Sequence, residues 1–222
     1  MRISLSLDRS SSKDLSIMVD ALRASTTIIT ALESFKTIVP VKEMRKAEIM
    51  ANKYNATLAG ERGGAKIDGF DTGNSPLDIK NFQGDCLVLT TTNGTRILKE
   101  TSSSTVLVGS FVNAKAVASK AKEMAKNNIE VVMAGVNGEF AIEDFLSAGE
   151  IISYLQDEDL DEMALAALMA SNNPVKVNEA VINSNSALGL KNLGLGNDVE
   201  FSLKRNIYNT VPIYKDGFIK KL

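Results

Sequence analysis

Residues 15–27 read LSIMVDALRASTT, and this stretch decides the fold. An apolar run, Leu15–Val19, stops at an acid, Asp20, and turns through Ala21–Ala24 into a helical pattern opened by Ser25 and Thr26. A short apolar run bounded by turn residues is what a strand buried on both faces looks like. Three more segments follow the same plan. Cys86–Thr90 runs into Thr91-Thr92-Asn93-Gly94-Thr95-Arg96, Thr105–Val108 into Gly109-Ser110-Phe111-Val112-Asn113, and Glu130–Ala134 into Gly135-Val136-Asn137-Gly138-Glu139. Strands that alternate with helices call for βαβ units and a mainly parallel sheet.

Working outward, further strands are predicted at Ile3–Leu7, Thr37–Val41 and Thr57–Ala59. Helical periodicity covers Ser25–Phe35, Met44–Tyr54, Pro76–Phe82, Ala114–Asn127, Ile142–Leu155 and Asp161–Ala170. Near the C-terminus VPIYKDGFIKK predicts a hairpin that turns at Lys215-Asp216-Gly217. The acidic run from Gln156 to Glu162 suits a solvated connection with a helix start. The expected fold is therefore α/β: a layered α/β/α arrangement with a mainly parallel sheet and a C-terminal hairpin. No repeat or linker divides the chain, so residues 1–222 are expected to form a single domain.

Composition removes whole classes of function. The net charge of −2 gives no general pull toward nucleic acid or an anionic membrane. No apolar run approaches the ~20 residues of a membrane helix. The start MRISLSLDRSSSKD lacks a signal pattern and is read as mature sequence. One Cys excludes an intramolecular disulfide and fits a reducing cytoplasm. The chain has no His, which removes phosphohistidine intermediates, Ser-His-Asp triads and the usual zinc sites. Cys86 lies in the apolar run CLVL and is expected to be a buried strand residue. No Arg closes a loop after it, as a cysteine phosphatase would need. Any hydrolysis must use carboxylates, hydroxyls, Arg or Lys, with a hard metal ion.

In a parallel sheet the strand-to-helix turns share the carboxyl edge, where doubly wound proteins bind ligands. Asp20 stands there as a candidate catalytic or metal-binding carboxylate, a position that equally suits a helix cap. Arg23, with Ser25 and Thr26 at a helix start, can hold a phosphate. Residues 60–76, GERGGAKIDGFDTGNSP, place charged side chains between glycines in a stretch predicted to be a long functional loop. Glu61 and Asp71 can give oxygen ligands to Mg²⁺, and Arg62 and Lys66 can pair with anions. Asn74 and Ser75 open the next helix. Thr92, Asn93, Gly94 and Thr95 form a candidate phosphate cradle, which lacks the spacing of a nucleotide loop. Asn137 occupies another edge turn. Glu143 and Asp144 suit either metal ligation or the acidic first turn of a helix.

Together VDALRASTTIITAL, AGERGGAKIDGFDTGNSP, LTTTNGTRIL, VGSFVNAKAVA and AGVNGEFAIEDFLSAG resemble the 2-phosphosulfolactate phosphatase family, and LGLGNDVEF and VPIYKDG extend the likeness. The resemblance implies Mg²⁺-dependent removal of phosphate from 2-phospho-3-sulfolactate in coenzyme M biosynthesis. On that implication Asp20, Arg23, Glu61 and Asp71 are catalytic, with Asp20, Glu61 and Asp71 on the metal. Ser25, Thr26, Arg62, Lys66, Asn74, Ser75, Thr92, Asn93, Gly94, Thr95 and Asn137 then bind substrate. Relatives often carry Cys where this chain has Ser147, and His within the segment matching Ser184–Leu190. The implied ester carries about −4 at neutral pH, so the cations Arg23, Arg62, Lys66 and Arg96 are expected around it. Two alternatives share these residues: a phosphatase for another small phosphorylated acid, and a non-catalytic binding protein for such acids. The partner class is a small anionic ester, without nucleic acid or membrane, in a chain open to homo-oligomer formation.

Overall fold

The computed structural model describes residues 1–222, the side chain of Lys99 excepted. Among these residues eleven strands join in one sheet: β1 (Arg2–Leu7), β2 (Leu15–Val19), β3 (Phe35–Val41), β4 (Thr57–Arg62), β5 (Ala65–Lys66), β6 (Gly84–Thr90), β7 (Thr105–Gly109), β8 (Asn128–Met133), β9 (Asp159–Leu160), β10 (Pro212–Lys215) and β11 (Phe218–Lys221). Their order is β5-β4-β6-β3-β11-β10-β7-β2-β8-β1-β9. β7, β2, β8, β1 and β9 form one parallel group, and β4, β6 and β3 another. The antiparallel hairpin β10–β11 fills the gap between the two groups. Its turn residues Asp216 (φ 52°) and Gly217 (φ 86°) take the positive φ values that a two-residue hairpin turn demands.

The helices are α1 (Ala24–Ala31), α2 (Met44–Tyr54), α3 (Gly94–Glu100), α4 (Ala114–Met124), α5 (Ile142–Ser153), α6 (Glu162–Ser171), α7 (Pro174–Ile182), α8 (Asn185–Asn192) and α9 (Gly196–Ser202). None is long and apolar enough to cross a membrane. The two-residue alternation of the strands assigns each helix to a face. Met18, Ile38, Leu87, Val108 and Val132 meet Ile28 of α1 and Ile97 of α3 on one side of the sheet. Ile17, Leu107 and Val131 face α4, α5 and α6 on the other, where Val39 and Val88 also meet α2. This is the layered α/β/α arrangement read from the sequence.

Differences from the reading have local causes. The first helix ends at Ala31 instead of Phe35, because Phe35 pairs with Gly84 in parallel register and begins β3. α1 holds Thr26, Thr27, Ile28, Ile29 and Thr30, all modest helix formers. Complete burial of its eight residues, and the Thr30 hydroxyl bonded to Thr26 O at 2.8 Å, override that propensity. The helix read at Pro76–Phe82 contracts to a 3₁₀ turn, Asp78–Asn81. Cys86 is a strand residue but only half-buried, its thiol pushed up by desolvation and by the charge of Asp85. The predicted loop after Ala59 is instead a continuation of β4 to Arg62. It turns back into β5 at Gly63 (φ 59°) and Gly64 (φ 86°).

Close packing of α5 on α6 depends on Gly149. A Cβ there would lie 2.3 Å from Ala167 O and 2.7 Å from Ser171 Oγ. Gly149→Ala is expected to cost about 1–3 kcal/mol through overpacking and to lower the melting temperature by several degrees. A melt unchanged from wild type would show that the helices part at no cost.

Two features set up a cleft. α1 leads from β2 across the hairpin to β3, while α3 leads from β6 back across it to β7. The crossovers run in opposite directions over one gap, with both helix N-termini at the carboxyl edge. This is the topological switch point at which open α/β sheets form crevices. Above it sit α7, α8 and α9, whose Val177, Val181, Leu190 and Val199 pack on Ala21 and Phe111, both just past the ends of strands.

Candidate active site

The cleft at this switch point has a volume of about 310 Å³. Asp20 and Arg23 line it from the β2–α1 turn, Glu61, Gly63 and Gly64 from the β4–β5 hairpin, and Thr91, Thr92 and Asn93 from the β6–α3 turn. Asn74, Val136 and Asn137 complete the walls, and Ser186, Gly189, Leu190 and Leu193 roof it from α8 and its C-terminal end.

The main chain around Asp20 is fixed by its neighbours. Its N–H donates to Ser25 Oγ (2.9 Å), and Oδ1 accepts the Ala24 N–H (3.1 Å). Thr26 Oγ1 donates to Ala21 O (3.0 Å) and meets Ser110 Oγ at 2.9 Å. Asp144, from the first turn of α5, accepts the Ala21 N–H (2.8 Å) and the Gly135 N–H (2.9 Å), clamping two edge turns together. Gly94 allows the start of α3 to touch this turn. A Cβ on it would lie 3.1 Å from Asp20 Oδ2 and 3.1 Å from Ala24 Cβ.

Electrostatically the site is acidic. Burial pushes the Asp20 carboxyl up to about 6, and the charges of Glu61 and Glu143 add to the rise against the opposing Ala24 and Gly94 N–H groups. Asp144 is raised well above the carboxylate range by burial and then by Asp20 and Glu143. Glu61 accepts three hydrogen bonds: Gly64 N–H at 2.8 Å, and the Thr92 N–H and hydroxyl at 3.0 Å each. Among the described residues the one cation lining the cleft is Arg23. It is already paired with Asp198 (Nη1 to Oδ2, 2.8 Å) and donates from Nη2 to Gly64 O (2.6 Å). Crowded, buried carboxylate oxygens are the donor chemistry of a hard divalent cation. No three acidic side chains converge tightly enough to form an all-protein cage among the described residues.

Of the residues singled out in the sequence, Asp20, Arg23, Glu61, Asn74, Thr92, Asn93 and Asn137 meet at the cleft. Gly94 touches Asp20 from behind. Ser25 and Thr26 are buried beneath, where they hold the turn, and Thr95 bonds to Thr91 (3.1 Å). The rest are placed elsewhere. Asp71 is exposed and accepts the Leu58 N–H (2.8 Å), because it lies beyond the hairpin that carries Glu61. Arg62 turns away to Glu61 O, Lys42 O and Thr90 Oγ1. Lys66 is exposed and bonds to Asp71 O (3.1 Å). Arg96 is paired with Asp8. Ser75 donates to Asp198 (2.7 Å). The β6–α3 turn is also not a free phosphate cradle, since Thr92 spends its N–H on Glu61. Donors left over in the cleft include the remaining guanidinium N–H groups of Arg23, the amides of Asn93, Asn74 and Asn137 and the Ser186 hydroxyl. Asn74 is 4% exposed, and its Oδ1 has no partner among the described residues.

Asp198 and the α8 wall were not found from the sequence. Nothing local in LGLGNDVEF separates a buried acid from a surface one. Ser147 is buried in α5 with its hydroxyl unpartnered among the described residues, and it does not line the cleft.

Comparison with known proteins identifies the family. A family model described as 2-phosphosulpholactate phosphatase matches residues 3–217. The chain is similar to the 2-phosphosulfolactate phosphatase of Methanothermobacter thermautotrophicus, at 50% identity over 220 residues, covering 99% of this chain and 95% of the relative. It is similar to a probable 2-phosphosulfolactate phosphatase of Carboxydothermus hydrogenoformans, at 40% identity over 88% of this chain and 84% of the relative. The 2-phosphosulfolactate phosphatase of Methanocaldococcus jannaschii is 39% identical over 91% of this chain and 89% of its own length. Matched by that family model over residues 3–217 and similar to these relatives along nearly its whole length, the chain belongs to the 2-phosphosulfolactate phosphatase family.

Proposed function

We propose that this chain hydrolyses the phosphate monoester of 2-phospho-3-sulfolactate to sulfolactate and inorganic phosphate, with Mg²⁺ held by Asp20 and Glu61. Its place would be the cytoplasmic route to coenzyme M. The observation that carries this reading is the charge imbalance of the cleft: two lining carboxylates, Asp20 and Glu61, with the charge of Glu143 felt at Asp20, face one arginine that is already paired. A multiply anionic ester would be repelled from such a site unless a divalent cation enters with it. When bound, Mg²⁺ would neutralise and polarise the phosphoryl oxygens.

The chain's own residues do the remaining work. Arg23 presents its free N–H groups to the transferring phosphoryl group, as expected where catalysis is mostly positioning and charge stabilisation. The Asn93 and Asn74 amides contact the ester's other oxygens. The α8 roof, with Leu190 and Leu193, limits bulk water above the reacting centre. Asp20 serves either as the nucleophile, giving an aspartyl phosphate that water then cleaves, or as the group that orients an attacking water. The stereochemical course at a chiral, isotopically labelled phosphoryl group separates the routes: net retention marks the two in-line displacements of the covalent one, and net inversion marks direct attack by water.

A substrate panel tests the reading itself. Phosphate release from 2-phosphosulfolactate is expected to exceed that from phosphoglycolate and phospholactate. Equal rates would reassign the site to small phosphorylated acids in general. A thermal shift with sulfolactate but no phosphate release would leave only a binding protein.

A further inference from the structure

Arg23 and Asp198 lie 175 residues apart in sequence, and each is almost fully buried, at 4% and 2% exposure. Their contact is one link in a longer chain of bonds. Asp198 Oδ2 accepts from Arg23 Nη1 at 2.8 Å, and Oδ1 accepts from Ser75 Oγ at 2.7 Å. Ser75 Oγ in turn accepts the Asp78 N–H at 3.1 Å. On its other side Arg23 Nη2 donates to Gly64 O at 2.6 Å. A single guanidinium thus ties together the start of α1, the β4–β5 turn that carries Glu61, the 74–78 turn and α9.

We propose that Asp198, itself held by Ser75, is a positioning residue that aims Arg23 into the cleft. A guanidinium has five N–H donors in a fixed planar fork. Two are committed here, one to a carboxylate and one to a carbonyl. Fixing two arms of a planar group fixes the direction of the other three. Arginine alone carries considerable rotamer freedom, and an anchored fork is ready for an anion before the anion arrives. Asp198 does not line the cleft, so it acts through Arg23 and not on the substrate. The pair also seats α9, and with it the α8 roof, on the catalytic turn. The proposal rests on the phosphatase reading above for its kinetic consequence, though not for its geometry.

The test uses Asp198→Asn and Ser75→Ala in the full chain, with kinetics and ¹⁵N-detected arginine side-chain spectra. In wild type the Arg23 Hη protons are expected to be resolved and slow to exchange, because two arms are held in a buried site. Asp198→Asn is expected to merge those signals and to lower kcat by about 100-fold. KM is expected not to rise, since removing an anion beside Arg23 does not weaken its pull on an anionic ester. A purely structural role would instead lower the active fraction and leave the kcat of the folded protein intact. Ser75→Ala is expected to act in the same direction, by about 10-fold or less.

Hη signals that persist without Asp198 would overturn the proposal, as would merged signals with kcat within about threefold of wild type. If Asp198→Asn does not fold, Ser75→Ala decides, and unchanged spectra with unchanged kcat overturn the idea. If wild-type protein releases no phosphate from 2-phosphosulfolactate, the substrate reading fails separately. The spectra then decide the positioning role alone.

Discussion

Asp20→Asn is expected to abolish phosphate release and, in the metal-free protein at neutral pH, to raise the melting temperature. Both effects come from one carboxylate. Burial, with Glu61 and Glu143 nearby, lifts the Asp20 carboxyl from 3.8 to about 6. A group raised in the folded state contributes its stability fully below the unfolded value, and that contribution is lost as pH climbs through the folded one. At pH 7.5 the ionised Asp20 therefore works against the fold by about 2–3 kcal/mol, taking the shift at about 1.4 kcal/mol per unit. Asparagine keeps the oxygen that accepts the Ala24 N–H and loses the charge. Allowing for a weakened bond to Gly94, the variant is expected to melt roughly 4–8 °C above wild type at pH 7.5. The difference should vanish near pH 4. Added Mg²⁺ should raise the melt of wild type and leave the variant unmoved. A gap that does not change with pH, or a variant that melts below wild type at pH 7.5, would contradict this account of the site.

Glu61→Gln is expected to lose on both counts. Glu61 also faces the cleft, but its oxygens receive three donors, from Gly64 and twice from Thr92. A glutamine amide offers one acceptor oxygen, so its NH₂ must confront either the Gly64 N–H or the Thr92 pair. Leaving a buried donor unmatched costs about 1–3 kcal/mol, and the melt should fall by several degrees. Because these bonds tie the β4–β5 turn to the β6–α3 turn, activity should fall by about 100-fold or more. Phosphate release and melting on the same preparation check both effects. A Glu61→Gln protein as stable as wild type would show that the three bonds do not hold the turns. Two acids of the same cleft thus differ in sign: Asp20 is kept at the expense of stability, whereas Glu61 contributes to it.

The parallel strands and the turns that carry Asp20, Arg23, Thr92 and Asn93 are legible in the sequence because each is a local pattern. An apolar run followed by an acid, a hydroxyl or a glycine needs no knowledge of the rest of the chain. The Asp216-Gly217 turn is legible for the same reason. The place of the hairpin is not local. Nothing within VPIYKDGFIKK says that it pairs with β7 and β3 and so fills the gap between two parallel groups. Helices α7 and α8 carry readable caps, with Asn173 ahead of Pro174 and Ser184 ahead of α8, whereas α9 follows Leu195 without a side-chain cap. Their apolar faces are short, and the periodicity over 172–203 does not stand out. Residues 60–76 show the limit most clearly. Composition marks Glu61, Arg62, Lys66 and Asp71 alike as ligand groups, yet strand alternation sends Glu61 into the cleft and Arg62 away from it. Lys66 and Asp71 end on the exposed side of the hairpin. Asp198 is hidden for a related reason: its partner lies 175 residues away.

The central claim is that the carboxyl-edge cleft receives its anionic ester only together with a divalent cation. The most direct measurement is phosphate release from 2-phosphosulfolactate by protein stripped with EDTA and then titrated with Mg²⁺. The expected result is no release from the stripped protein, restored saturably by Mg²⁺ in wild type and not in Asp20→Asn. Full activity in the presence of EDTA, or equal restoration in Asp20→Asn, would contradict it.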